Sequence, residues 1–227
     1  MQNTRMTIME SIVRLNSLNE ANHYLYFMDI KTVYPLIVPA NYHVKDVWGF
    51  PHQAFNNTNY ILTWVSVLGS EPMYMTQDTY NKLSAKHPNW QRQALENLRH
   101  ATGDNENFFT HFKKTSDNSK ILFLAFENGD GIGSSRILLK TELSKIFPDG
   151  YYVALPDRNF GLAIAKDITE KELKQTKTLV KKMYKVATSP MSAGLHASFD
   201  FDLPPEWLAP IDDNYSQLLI NEAINLS

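Results

Sequence analysis

The chain has 227 residues, 43% of them hydrophobic and 12% aromatic, enough to build a sizeable core in one large domain or two small ones. Its formal charge of −2 supplies no global field to recruit nucleic acid or an anionic membrane. The absence of cysteine excludes disulfides, thiolate metal sites, iron–sulfur clusters and cysteine nucleophiles, and no apolar run approaches the ~18 residues of a membrane-spanning helix.

Met6 to Leu18 interleaves Ile8, Met9, Ile12, Val13 and Leu15 with Glu10, Arg14 and Asn16. That predicts an amphipathic helix rather than a signal peptide, and with it a soluble, cytoplasmic protein. Tyr24 to Met28 and Tyr34 to Val38 are β-branched and aromatic and read as strands. Pro39 to Asn59 carries Pro39, Gly49, Pro51 and Asn56-Asn57 and reads mostly as loop, yet it holds Tyr42, Trp48, Phe50 and Phe55. So many aromatics in a loop point to a segment that packs down or forms a binding face. Tyr60 to Leu68 reads as a buried strand, and Met73 to Met75 as a short partner.

Thr76 or Asp78 can cap a helix through Ala85, which Pro88 ends. Asn89 caps the next, with Trp90, Ala94, Leu95 and Leu98 on one side. Phe108 to Lys113 and Ile121 to Phe126 read as strands, followed by a glycine turn and a helix from about Ser135 to Phe147. Tyr151 to Leu155 and Phe160 to Ala165 form a hairpin pattern. Thr169 with Glu172 is a capping box, opening a helix to about Ala187 that buries Leu173, Val180, Met183 and Ala187. His196 to Phe201 reads as a last strand and Asn214 to Asn225 as a closing helix. Helices alternate with frequent hairpins, so the expected fold is α+β, with a mixed, mostly antiparallel sheet. Residues 1–60 are expected to pack on an α+β domain of residues 61–227.

Charge is uneven. Lys166 to Lys185 holds seven lysines against Asp167, Glu170 and Glu172, whereas Ser198 to Ser227 holds six acids and no Lys or Arg. The acidic segment either neutralises the basic helix or offers a surface to a basic partner. The lysine-rich helix lacks interleaved aromatics and arginines, so nucleic acid is not an expected partner.

The candidate site is the stretch from Phe126 to Asp167. Glycines in Gly129-Asp130-Gly131-Ile132-Gly133 let the backbone approach a ligand. Ser134 or Ser135 at a helix start would aim free N–H groups at an anion, and Arg136 could clamp it. The pattern matches neither the phosphate-loop nor the dinucleotide signature. Asp157 and Arg158 sit in the hairpin turn, and if the Phe160 strand lies beside the Ile121 strand, Asp130, Arg136, Asp157 and Arg158 could converge. The expected ligand-binding set is therefore Asp130, Gly131, Ser134, Ser135, Arg136, Asp157 and Arg158. None of the seven histidines falls in a compact ligand spacing, so no metal and no cofactor is expected. Asp200 and Asp202 alternate with Phe199 and Phe201, as on one face of a strand.

Three motifs in order carry a resemblance: Ala94-Leu95-Glu96-Asn97-Leu98, then Gly129-Asp130-Gly131 with Ser134-Ser135-Arg136-Ile137-Leu138, then Val153-Ala154-Leu155-Pro156-Asp157-Arg158-Asn159. Over about residues 61–201 the chain resembles the bacterial domain of unknown function 1444 family. That family shows an Ala-Leu-x-Asn-Leu helix, a Gly-Asp-Gly-x-x-Ala-Ser-Arg turn and a Val-Pro-x-Arg-Asp hairpin. Asn159 stands where the family more often has an acid. The resemblance implies fold and site location and no activity.

Two functions follow. One is a non-enzymatic protein-interaction or ligand-binding module, its protein partner meeting the aromatic loop or the acidic C-terminal segment. The other is an enzyme acting on an anionic, phosphorylated substrate, with Arg136 and Arg158 binding the anion and Asp130 and Asp157 as base or metal ligand.

Overall fold

A computed structural model describes residues 28–43, 49–56, 58–68, 71–103 and 109–208. The helices expected at Met6 to Leu18 and Asn214 to Asn225, and most of the strand at Tyr24 to Met28, lie outside the described residues. In chain order the elements are β1 (Val33–Pro39), β2 (His52–Ala54), β3 (Tyr60–Leu68), β4 (Glu71–Tyr74), α1 (Gln77–Lys86) and α2 (Trp90–Gly103). They continue with β5 (His111–Lys114), β6 (Ile121–Phe126), α3 (Lys140–Ile146), β7 (Tyr151–Asp157), β8 (Phe160–Ala165), α4 (Glu170–Val186) and β9 (His196–Ala197).

β3 has no polar alternation, as suits a strand covered on both faces, and Ile61 to Ser66 are each at most 3% exposed. β1 pairs antiparallel along one edge of β3, from Val33 opposite Ser66 to Pro39 opposite Tyr60. The other edge is shared by β2, opposite Ile61 to Thr63, and β4, opposite Val65 to Leu68. Residues 33–39 and 60–66 thus share one sheet across position 60. The second sheet runs β5-β6-β8-β7-β9, also antiparallel throughout. The fold is α+β.

One apolar core joins both sheets and α2, which contributes Trp90, Ala94, Leu95 and Leu98, the face expected from sequence. Asn97 fixes α2 to the start of β1 by donating to the carbonyls of Ile30 (2.7 Å) and Val33 (2.9 Å). A second, smaller cluster lies on the opposite face of the second sheet. There Phe160, Leu162 and Ile164 meet Val180 and Met183 of α4. α4 starts where the capping box predicts: Thr169 Oγ1 accepts from Glu172 N–H, and Glu172 Oε2 accepts from Thr169 N–H. Glu172 Oε1 also accepts from the Ser116 N–H (2.8 Å) and hydroxyl (2.6 Å). These bonds, Ser116's first, hold its carboxyl at about 2, below the ordinary 4.5.

Two expectations are corrected. The helix from Ser135 to Phe147 is replaced by a 3-10 segment, Gly133–Leu138, followed by α3. All six residues of that segment are buried, so no solvent face exists to favour an amphipathic α-helix. The strand from His196 to Phe201 stops after Ala197. Asp200 Oδ2 takes the Ala197 N–H (2.9 Å) and turns Ser198–Phe201 into a 3-10 segment, so Asp200 and Asp202 share no strand face.

Candidate functional site

The glycine turn begins where β6 ends, with Phe126 opposite Gly161 of β8. Gly129 (φ 71°) and Gly131 (φ 78°) take left-handed backbone that other residues rarely adopt. Asp130 between them accepts from Ile132 N–H (3.2 Å) and, with both carboxylate oxygens, from Arg136 Nη1 (3.1 Å) and Nη2 (2.6 Å). Arg136 is wholly buried, while the Asp130 side chain is 25% exposed. The terminal nitrogens that would clamp an anion are therefore held by the turn's own carboxylate. Ser135 Oγ accepts the Ile37 N–H of β1 at 3.2 Å, tying the turn to the first sheet. Neither serine caps a helix: the 3-10 segment Gly133–Leu138 has Ile132 at its N-cap and no side-chain cap.

The two halves of the candidate stretch do meet, through backbone. A Cβ placed on Gly133 would come within 2.1 Å of the Asn159 carbonyl oxygen and 2.8 Å of that of Phe126. One placed on Gly161 would lie 3.1 Å from Ser134 Cα. The charged side chains diverge. Asp157 accepts from Asn159 N–H (2.7 Å) and Ser189 N–H (2.8 Å), closing its own turn and anchoring the segment after α4. Arg158 hydrogen-bonds Tyr74 of β4. Asp130 and Arg136 sit beside Tyr34 of β1, whose hydroxyl pKa is raised by burial and further by the Asp130 charge, with Arg136 opposing. Tyr34 and Tyr74 flank Val65 from opposite sides, so two strand spacings, roughly 10 Å, separate them. Among the described residues no group of three or more His, Asp and Glu could hold a metal ion.

A second candidate combines the aromatic loop, expected to pack down or form a binding face, with residues the sequence did not single out for a site. A cleft of about 580 Å³ is walled by the rings of Phe50, Trp64, Tyr80 and Trp207, with His52, Gln53 and Gln77 among them. The rings brace one another: Trp64 meets Trp90 edge-on at 4.6 Å and Trp207 at 5.5 Å, and Tyr80 meets Trp90 at 5.3 Å. Thr63 Oγ1 donates to the Pro51 carbonyl (3.0 Å), and His52 pairs with Thr63 in the ladder, so the aromatic loop is pinned as the cleft's wall. The available signals were Phe50 in that loop and Trp207 just after Pro204-Pro205.

Ser192 and His196 also pair, with Oγ 3.3 Å from Nε2, and burial lowers the His196 pKa against the pull of Asp200. Ser192 Oγ accepts the Gly194 N–H (3.0 Å), however, which marks it as closing a local turn. Comparison of the chain with protein-family models, curated proteins and solved structures finds no match.

Proposed function

We propose that the protein is a non-enzymatic binding module, soluble and cytoplasmic, whose aromatic cleft receives an extended, uncharged, proline-bearing segment of a partner protein. The lining of the cleft carries this reading: the half-buried rings of Phe50, Tyr80 and Trp207 over the buried Trp64, with no Asp, Glu, Lys or Arg among the described residues. Ring faces suit proline and aliphatic groups, while a charged ligand would lose water and find no counter-charge. Gln53, and the Gln77 amide beyond its bond to Asn81, offer hydrogen bonds to the backbone groups that an extended polyproline-type segment leaves free. The alternative, an enzyme acting on an anionic substrate at the glycine turn, would have to draw the buried Arg136 away from Asp130, so the binding reading is preferred.

Selection of displayed peptides on the immobilised protein tests the proposal, with affinities then read by tryptophan fluorescence for the wild type and Trp207→Ala. The expected outcome is proline- and apolar-rich peptides whose affinity falls roughly thirtyfold or more in the variant, as for a central tryptophan. Charged peptides indifferent to Trp207→Ala would remove the basis for this reading.

A further inference from the structure

The outer face of α4 is basic in a way the chain's net charge hides. Its lysines, Lys171, Lys174, Lys177, Lys181, Lys182 and Lys185, are all exposed. At 3.6 residues per turn they fall within an arc of about 140°, along a helix roughly 25 Å long. Glu170 is the one exposed acid of the helix, since Glu172 is buried in the capping box. Among the described residues none of these lysines forms an ion pair. Of the described acids of the acidic segment, Asp200 and Asp202 are engaged by Ala197 N–H and by Lys140. At the C-terminal end of α4 the arc is flanked by exposed Tyr184 (37%) on one side and Val186 (81%) on the other. At the other end Lys166 lies over the ring of Phe199, which is 61% exposed.

We infer that this face docks on an anionic phospholipid surface, with the lysines among headgroups and Val186, Tyr184 and Phe199 reaching the interface. A lysine array backed by protruding apolar side chains is what such a surface selects. A protein partner is a poorer match, because lysine is depleted from protein interfaces. Nucleic acid is poorer too: the helix has no arginine to engage phosphates or base edges in a fork. The lysines are solvated, so replacing them leaves the fold intact.

The test is flotation of the protein with vesicles of phosphatidylcholine alone and of phosphatidylcholine with phosphatidylserine, at low and high salt. The expected result is binding only to the phosphatidylserine vesicles, weakened by salt. Each lysine near such a surface contributes about fivefold, so Lys174→Glu/Lys181→Glu/Lys185→Glu should lose at least a factor of about 100. Lys31→Glu/Lys113→Glu, reversing exposed charges elsewhere, should bind as the wild type does. Val186→Ser, which changes no charge, should also weaken vesicle binding, which a purely ionic contact would not require. No binding to phosphatidylserine vesicles, full binding by the triple variant, or binding of a single-stranded RNA in preference to the vesicles would each overturn the inference.

Discussion

Substituting Gly133 by alanine should destabilise the protein far more than the same change at Gly129, although Gly129 has the unusual backbone. At Gly129 the added methyl meets nothing within 4 Å, and the cost is the left-handed φ of 71°. That is about 1 kcal/mol, part of which is offset by the reduced entropy of the unfolded chain. At Gly133 the methyl would lie 2.1 Å from the Asn159 carbonyl oxygen, 2.9 Å from its carbon and 2.8 Å from the Phe126 oxygen. All three atoms are backbone, held in the β7–β8 turn and at the end of β6, so the turn must retreat by roughly 1 Å. Overpacking of this kind costs about 1–3 kcal/mol, and the rigidity of all three neighbours puts Gly133→Ala at the upper end. In a protein of this length a net loss of about 2 kcal/mol lowers Tm by roughly 4–8 °C. Urea unfolding, with the m-value checked for constancy, measures both variants. Equal stability of the two would refute the interlock between glycine turn and hairpin.

Other consequences follow from the same contacts. Asp130→Ala leaves the buried Arg136 guanidinium without its carboxylate and should cost about 3–5 kcal/mol, whereas adding Arg136→Met should recover part of that loss; urea unfolding of the single and double variants decides. Ser135→Ala strips the buried Ile37 N–H of its acceptor and should cost about 1–3 kcal/mol, with faster hydrogen exchange at that amide; an unchanged exchange rate would count against the contact. Glu172 has a depressed carboxyl pKa, so its stabilisation is full above its ordinary 4.5 and is lost as pH falls towards about 2. Glu172→Gln should therefore flatten stability against pH across that window, read by thermal melts at stepped pH, and an unaltered slope would contradict the assignment.

Strands with continuous apolar runs were legible from sequence. Tyr60–Leu68, Ile121–Phe126 and Phe160–Ala165 appear with the expected bounds because their near-continuous apolar runs leave no competing pattern. The α4 start was legible because a capping box is local chemistry between residues three apart. Gly133–Leu138 was not, since its conformation is set by sitting between β1 and β8, and Ser135 serves a strand nearly a hundred positions earlier. Likewise Asp157 looked like a hairpin residue and is one, but its second carboxylate oxygen holds Ser189 across the fold. The cleft was half visible. Its aromatic loop stood out, but its opposite wall comes from Trp64, Tyr80 and Trp207, which only tertiary packing assembles.

Amide and indole NMR titration of the wild type with a selected proline-bearing peptide separates a structural glycine turn from a binding cleft. Saturable shifts of the Trp64 and Trp207 indole signals and of the Gln53 and Gln77 side-chain amides are expected, with Gly129, Gly131 and Ser135 unmoved. Shifts centred on Gly129 to Arg136, with the two indoles unperturbed, would contradict the binding reading.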